Sequence, residues 1–290
     1  MYRRTFLTAA GASAAAIPSL SSLANAAIPP ASGLIDTNLS LGDWVIRRSG
    51  IPNAGQLLAK LSQHRVTSAW VGNIDGVLHT DIAGVNYRLA ATCASEGAGK
   101  LVPFGSINLT FPDWEDDLRR CAEEHKMPGI RLHPNYHGYT LEDPRFVRLL
   151  ELAARRRLLV QIAVQLEDNR SQNPVLTAAP VQVAPLVEAL AKVPTARVML
   201  LNAGSPIFGG APLLQKLTKA GVLFEVATLE GVAGIEGLYH RVPEVRVCFG
   251  SHVPYFYFEA ALLKLQESAL TQDQLNAVQS GNARFALIHA

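Results

Sequence analysis

Residues 129–164 read GIRLHPNYHGYTLEDPRFVRLLELAARRRLLVQIAV and contain the pattern that decides the fold. A short apolar run over Gly129–His133 predicts a strand, and a second run over Leu158–Val164 predicts another. Between them, apolar residues recur at helical spacing over Asp143–Arg157, and Asp143-Pro144 supplies a helix start signal. A strand, a helix and a strand in succession are typical of a βαβ unit with parallel strands. We therefore expect one repeat of a parallel α/β fold here.

The same alternation continues in both directions along the chain. Strand signals occur at Leu34–Asn38, Thr67–Gly72, Leu101–Ile107, Gly129–His133, Leu158–Val164, Ala196–Leu201, Gly221–Ala227 and Val245–Gly250. Helix signals follow them at Asn53–His64, Asp81–Glu96, Trp114–His125, Asp143–Arg157, Val181–Ala191, Ala211–Ala220, Gly231–Arg241 and Phe256–Ser268, with a final helix from Thr271 to Leu287. This succession predicts a single (β/α)8 TIM barrel of the α/β class. A doubly wound sheet is the alternative, but the first strand lacks the Gly-rich turn that usually opens one. The Gly-rich segment Gly204–Gly210 is expected to be a loop.

Composition excludes several classes of protein. The chain has 290 residues, of which 49% are hydrophobic and 17% charged, so it is a folded protein rather than a disordered one. The formal charge of +2 provides no basic surface, and we expect no nucleic-acid partner. Three cysteines cannot form a disulfide framework, and Cys93, Cys121 and Cys248 fall within predicted helices and a strand. We expect them to be buried free thiols.

The first 26 residues have the form of an export signal. Arg3-Arg4 is followed by Phe6-Leu7, an Ala-rich middle and an Ala24-Asn25-Ala26 cleavage site, a pattern that resembles a bacterial twin-arginine signal. An ordinary secretory signal or an N-terminal helix is the alternative. We predict that residues 1–26 are removed and that residues 27–290 form the barrel in the periplasm. No later stretch is apolar enough to span a bilayer, so we expect no membrane insertion after removal of the signal.

Polar residues follow the predicted strands, at the end of a parallel barrel where active sites form. They are Asp36, Asn38, Ser40, Asn73, Asp75, Asn108, Arg131, His133, Asn135, Tyr136, His137, Gln165, Glu167, Asn202, Glu225, Thr228, Glu230, Ser251 and His252. An apolar barrel core would not need these side chains, because burying an unpaired charge costs several kcal/mol. The remaining histidines fall mostly in helices or near the terminus and are predicted to lie on the surface: His64, His79, His125, His240 and His289.

Roles follow from the chemistry of the side chains. We expect His133 and His252 to act as general acid or base, with Asp36 orienting a partner. Arg131 is the candidate clamp for an anionic group, since its planar guanidinium matches a carboxylate. The other candidate substrate-binding residues are Asn38, Asn202, Glu230, His137 and Tyr255. The loop over residues 167–173 is expected to be either a lid or a solvated connection.

Four segments together resemble a known family. They are Ile35-Asp36-x-Asn38 on the first strand, Gly129–Pro134 on the fourth, Arg246–Pro254 on the eighth and Asn282-Ala283-Arg284 in the last helix. In this order they are similar to the amidohydrolase-related family of metal-dependent hydrolases and decarboxylases, and the resemblance runs from Leu34 to the end. It implies a distorted (β/α)8 barrel, which agrees with the count of strand and helix signals.

The resemblance also implies metal ligands that this chain lacks. Members of the family bind a divalent metal through His-x-His on the first strand, histidines on the fifth and sixth strands and an aspartate after the eighth. The chain has Asn38, Ser40, Ala163, Asn202 and His252 at these places. Amide and hydroxyl groups are poor zinc ligands compared with imidazole, and alanine cannot bind a metal. We therefore predict no metal-ligating residues, although the family implies that zinc or manganese could bind.

Three functions remain open at this point. The first is a metal-free hydrolase or lyase that acts on a small polar molecule, carboxylated or sugar-like, by His/Asp acid–base chemistry. The second is a metal enzyme with a relocated site made of Asp36, His133, Glu230 and His252. The third is a barrel that binds a small ligand without catalysis. The partner is a small molecule in each case, and the sequence carries no signal for oligomeric state.

Overall fold

The computed structural model describes residues 33–47, 51, 53–168, 170 and 172–288. The predicted signal peptide, residues 1–26, lies outside them. In the described part, eight parallel strands pair in chain order from β1 to β8. The strands are β1 Leu34–Leu41, β2 Val66–Asn73, β3 Leu101–Ser106, β4 Gly129–Leu132, β5 Leu159–Ala163, β6 Arg197–Leu201, β7 Leu223–Glu225 and β8 Arg246–Cys248.

The chain after β8 returns to β1 and closes the barrel. The Thr37 amide donates to the Phe249 carbonyl at 3.0 Å, and the His252 amide donates to the Asn38 carbonyl at 2.8 Å. A parallel bridge between Leu39 and Val253 continues this pairing. The predicted TIM barrel is therefore confirmed, and the strand order excludes a doubly wound sheet.

Helices cover the outside of the barrel. Those described are α1 Ala54–Gln63, α2 Ile82–Glu96, α3 Trp114–Glu123, α4 Pro134–His137, α5 Pro144–Arg155, α6 Leu186–Lys192, α7 Gly204–Phe208, α8 Ala211–Lys219, α9 Gly234–Arg241, α10 Phe258–Gln266, α11 Gln272–Asn276 and α12 Asn282–Ile288. Local signals start several of them. Asp143 accepts from the Arg145 amide before Pro144 at the first turn of α5, and Thr271 forms a capping box with Gln274. None of the helices in the described ranges is long and apolar enough to cross a membrane.

Several segments differ from the sequence prediction. The expected loop Gly204–Gly210 contains the short helix α7, and α6 begins at Leu186 rather than at Val181. A π-helical turn over Ala277–Gly281 interrupts the final helix. There the Val278 carbonyl accepts from the Phe249 amide at 2.9 Å, so the helix pairs with the end of β8. The local sequence pattern does not predict this turn, because the turn depends on a contact with a distant part of the chain.

Two apolar layers support the functional face. The larger layer lies between the sheet and the helices, and includes Leu57, Leu149 and Leu214. The smaller layer fills the barrel interior, where Trp70 stacks on Phe104 with ring centroids 5.1 Å apart. The three cysteines are free and buried, as predicted.

Candidate active site

A buried arginine crosses the barrel interior. Arg131 in β4 donates from Nε to Gln161 at 2.9 Å, from Nη1 to the Leu39 carbonyl at 2.7 Å and to Ser40 Oγ at 3.4 Å, and from Nη2 to the Trp70 carbonyl at 3.4 Å. These bonds engage four of its five N–H groups. Burial lowers the pKa of Arg131 to about 10, which leaves it positively charged at neutral pH. The guanidinium therefore joins four strands, and a bidentate clamp on a ligand would require release of these bonds.

Two carboxylates lie near this arginine, both buried. The Asp36 carboxylate accepts from the amides of Asn38 at 3.0 Å and Ser251 at 3.1 Å, and burial raises its pKa to about 7. Glu225 accepts from the Ala227 amide at 2.7 Å and from the Asn202 amide, and burial raises its pKa as well. Asp36 therefore fixes the backbone directly before His252.

Two amide side chains near the carboxylates are linked by hydrogen bonds, and an imidazole lies next to them. Asn38 Nδ2 donates to Asn202 Oδ1 at 2.8 Å, and Asn202 Nδ2 donates to the Gln165 carbonyl at 2.9 Å. His252 Nε2 lies 2.8 Å from the Leu166 carbonyl. Since a carbonyl can only accept, Nε2 carries the hydrogen and Nδ1 carries a lone pair. Nδ1 is buried without a partner among the described residues.

Asn202 and His252 both have a left-handed backbone, with φ of 51° and 58°. For residues other than glycine this conformation costs on the order of 1–3 kcal/mol, and such strain is often found at functional sites. Burial also lowers the pKa of His252 to about 4, so its imidazole is neutral near pH 7.

His133 is a second neutral imidazole at this end of the barrel. Its side chain is 3% exposed, and no hydrogen-bond partner for its Nδ1 is found in the part of the chain that the structure describes. Burial places its pKa well below the usual value. The His137 ring lies 6.0 Å away and is held by a hydrogen bond of 3.0 Å from Nε2 to the Gly76 carbonyl. His133 is therefore the candidate base, and His137 is a neighbouring side chain held in a fixed position beside it.

The site is covered by a roof that consists of Trp44, Tyr136, Tyr255 and Glu167. The Trp44 ring meets Tyr136 edge-on at 5.8 Å, and Tyr255 lies 5.4 Å from the His252 ring. The space between Trp44, Tyr255, Glu167 and their apolar neighbours is too small for a water molecule. Four polar atoms in this roof are buried without a partner among the described residues: Trp44 Nε1, Tyr136 Oη, Tyr255 Oη and Glu167 Oε2. Unpartnered buried polar atoms are costly, so each can gain from a hydrogen bond to a ligand.

The structure brings most of the candidate residues together, but not all of them. Glu230 lies on the rim with its side chain 64% exposed, where it accepts from Ser205 Oγ at 2.9 Å and pairs with Arg170. His64 was expected on the surface, but it is largely buried and stacks on Phe258 at 4.4 Å. Trp44, in the loop after β1, is a residue of the site that the pattern of polar residues at strand ends does not include. The signal for it is an indole side chain directly after the first strand.

The donor set does not fit the metal of the resembled family. The Asn38 and Asn202 side chains bond to each other where imidazole ligands would be needed, and Ala163 offers no donor. Within the described ranges, no group of three or more His, Cys, Asp or Glu side chains could hold a metal ion. The relocated site of Asp36, His133, Glu230 and His252 is therefore not assembled.

Comparisons with known proteins agree with this fold. The family model described as Amidohydrolase matches residues 47–287. Among solved structures, the chain is similar to 5-carboxyvanillate decarboxylase from Novosphingobium aromaticivorans, complexed with manganese and 4-hydroxy-3-methoxy-5-nitrobenzoic acid (TM-score 0.68, 15% identity, 88% of this chain and 96% of that chain). It is also similar to a dihydroxybenzoic acid decarboxylase from Polaromonas, with bound manganese and 2-nitroresorcinol (TM-score 0.67, 12% identity, 88% and 97%). A third is 2,6-dihydroxybenzoate decarboxylase from Rhizobium (TM-score 0.65, 11% identity, 88% and 98%). No curated protein matches the chain.

Proposed function

The chain belongs to the amidohydrolase family, and from that premise we propose that it is an exported, metal-independent lyase that decarboxylates a small hydroxylated aromatic acid. One observation carries the proposal: two buried neutral imidazoles, His133 and His252, lie at the active end of the barrel, where His252 contacts Tyr255 of a roof that holds unpartnered polar atoms. The twin-arginine pattern at Arg3-Arg4 supports export to the periplasm.

The substrate class is supported by the roof and by the neighbours. Three similar structures are those of decarboxylases named for hydroxylated aromatic carboxylic acids. In this chain, Trp44 and Tyr255 offer aromatic surfaces for a ring. The hydroxyls of Tyr136 and Tyr255 can donate to a carboxylate, and Glu167 can accept from a phenol. Because the space is closed, substrate entry requires the Trp44 and Tyr255 side chains to separate.

His133 carries the proton in the proposed reaction. Its neutral imidazole takes the proton of a phenolic hydroxyl and returns it to the ring carbon that bears the carboxylate. The bond to the carboxylate then breaks, and its electron pair restores the aromatic ring. The products are carbon dioxide and a phenolate, which takes a proton from water. Atoms and charges balance without an added oxidant or reductant.

The other candidate residues position these groups. Asp36 accepts a hydrogen bond from the amide of Ser251 and so fixes the position of His252. Asn38 and Asn202 are hydrogen-bonded to each other near this imidazole. His252 presents the lone pair of Nδ1 as a second acceptor for the substrate. Arg131 supplies positive potential from below, which favours an anionic substrate over a neutral one.

A hydrolase is the second candidate, because the same neutral imidazoles could activate water. A lowered pKa keeps His133 unprotonated at neutral pH, as a general base for water must be. A barrel that binds a ligand without turnover would use the same polar atoms.

The test is carbon dioxide release from a panel of hydroxybenzoates, with 2,6-dihydroxybenzoate and 5-carboxyvanillate included. We expect one equivalent of carbon dioxide per phenol formed, and a loss in kcat of at least about 100-fold in His133→Ala. His240→Ala, at an exposed helix position, is the matched control. Hydrolysis of esters or lactones that depends on His133 would establish the hydrolase instead. Ligands that raise the Tm without any turnover would establish a binding barrel.

A further inference from the structure

An open cleft lies beside the closed space, at the carboxyl end of the later strands. It has a volume of about 510 Å³, within the usual range for small-molecule sites. Its walls come from the segments that follow β5, β6, β7 and β8, and they include Gln165, Thr228, Phe256 and Lys264. The cleft also contains an ion-paired group in which Arg170 contacts both Asp168 and Glu230. The cleft is therefore on the catalytic face of the barrel but is not part of the closed space.

Among the described residues, Lys264 is the cation of this cleft that forms no direct ion pair, since Arg170 pairs with Asp168 and Glu230. Its Nζ donates to the Ala227 carbonyl at 3.1 Å and to the Ala260 carbonyl at 3.5 Å. Glu225 and Glu267 attract it at longer range and favour its charged form. Two carbonyl acceptors favour the protonated ammonium and leave its third N–H available to a ligand. Partial burial lowers the pKa of Lys264, because desolvation disfavours the charge, and a bound anion would offset that cost.

Phe256 connects the cleft to the closed space. Its side chain lines the cleft, and its ring meets the His252 imidazole edge-on with centroids 5.1 Å apart. A flat ring resting on Phe256 can therefore extend from Lys264 towards His252. The carbonyl that accepts from Lys264 belongs to Ala227, whose amide donates to Glu225, which also holds the Asn202 amide. These hydrogen bonds fix the position of Lys264 relative to Asn202, which lies next to the His252 imidazole.

We infer that this cleft binds a carboxylate that stays on the substrate throughout the reaction, with Lys264 as its anchor and Phe256 as the surface for the ring. The inference rests on the proposed function: the ring rests on Phe256, and its reacting carboxylate enters the space that Trp44 and Tyr255 close, on the side of His252. The substrate is then an aromatic dicarboxylic acid. One carboxylate leaves as carbon dioxide, and the other remains on the product at Lys264.

The test is binding of benzoate, measured by titration calorimetry on the full protein without any turnover. We expect the wild type to bind benzoate at millimolar concentrations and not to bind benzyl alcohol, which lacks the charge. Lys264→Met keeps the aliphatic stem and should weaken benzoate binding at least about tenfold. Lys264→Arg should restore most of it. Lys219→Met removes an exposed lysine of α8 and should change nothing.

Two results would overturn the inference. One is equal benzoate affinity in the wild type and in a folded Lys264→Met variant. The other is a folded wild type that does not bind benzoate, since a built anchor must hold a simple carboxylate. If Lys264→Met unfolds, nuclear Overhauser contacts between benzoate and the Phe256 ring in the wild type decide the matter, and their absence refutes the site. Decarboxylation can fail while benzoate binding succeeds, so the two proposals are tested separately.

Discussion

Replacing Asp36 by asparagine should stabilise the protein in a pH-dependent way. In the folded chain the Asp36 carboxyl is buried and its pKa is raised from 3.8 to about 7, chiefly by desolvation. At about 1.4 kcal/mol per pH unit, this difference corresponds to about 4 kcal/mol of stability lost once the pH exceeds 7. Asparagine keeps an acceptor oxygen for the Asn38 and Ser251 amides and has no charge to bury.

The sign follows from proton binding. Between pH 4 and pH 7 the unfolded chain has lost the Asp36 proton while the folded chain still holds it, so the wild type loses stability as the pH rises. Asp36→Asn lacks this loss. The free energy of unfolding of the variant relative to the wild type should therefore rise by about 3 kcal/mol between pH 5 and pH 8. Any fixed cost of fitting the amide does not alter this slope.

Urea unfolding of both proteins at unit pH intervals gives the slope directly. Using the difference between the two proteins removes the opposing contributions of His133 and His252, which are common to both. Asp113→Asn is the matched control, since Asp113 is exposed and makes no capping hydrogen bond at the start of α3. A difference between Asp36→Asn and the wild type that stays constant from pH 5 to pH 8, or that falls, refutes the reasoning.

Two further predictions concern the imidazoles and the export signal. The profile of kcat/KM against pH should lack an inflection at the ordinary histidine pKa of 6.5, because burial lowers the pKa of His133 and His252 and keeps both as bases; the acidic limb is expected well below pH 6.5 instead. An acidic limb centred at pH 6.5 in Asp36→Asn as well as in the wild type would show that a solvated histidine controls the rate. Replacing Arg3 and Arg4 by lysine together should block export, measured by cell fractionation. Periplasmic protein at the wild-type level in that variant would contradict the twin-arginine assignment.

The strands were predictable because local pattern and tertiary environment agree. Each apolar run is buried on both faces in the barrel, so the observed bounds, such as Arg197–Leu201 for the expected Ala196–Leu201, differ by a few residues at most. Helix α7 was missed because its Gly-rich sequence has low intrinsic propensity. The π-helical turn was missed because it depends on the Phe249 amide, which comes from another part of the chain.

The residues that form the site could be predicted from the sequence, but the contacts between them could not. Residues at strand ends, such as Asp36 and His252, meet because every strand of the barrel runs in the same direction. The hydrogen bonds of Arg131 could not be predicted from the sequence, since their acceptors are carbonyls and side chains of other strands. Gly72 also has a role that the pattern does not reveal: a Cβ there would lie 2.8 Å from Arg131 Nη1, so glycine leaves room for the guanidinium. Glu230 lies five residues beyond the end of β7, and this length of loop carries it out to the rim.

Metal dependence of turnover distinguishes a metal-independent lyase from a metal enzyme. The purified protein should be dialysed against a chelator, analysed for manganese and zinc, and assayed for carbon dioxide release on the same sample. Since Asn38 and Asn202 bond to each other and Ala163 has no donor, we predict less than stoichiometric metal and unchanged turnover. Turnover that disappears on chelation and returns with manganese would contradict the account.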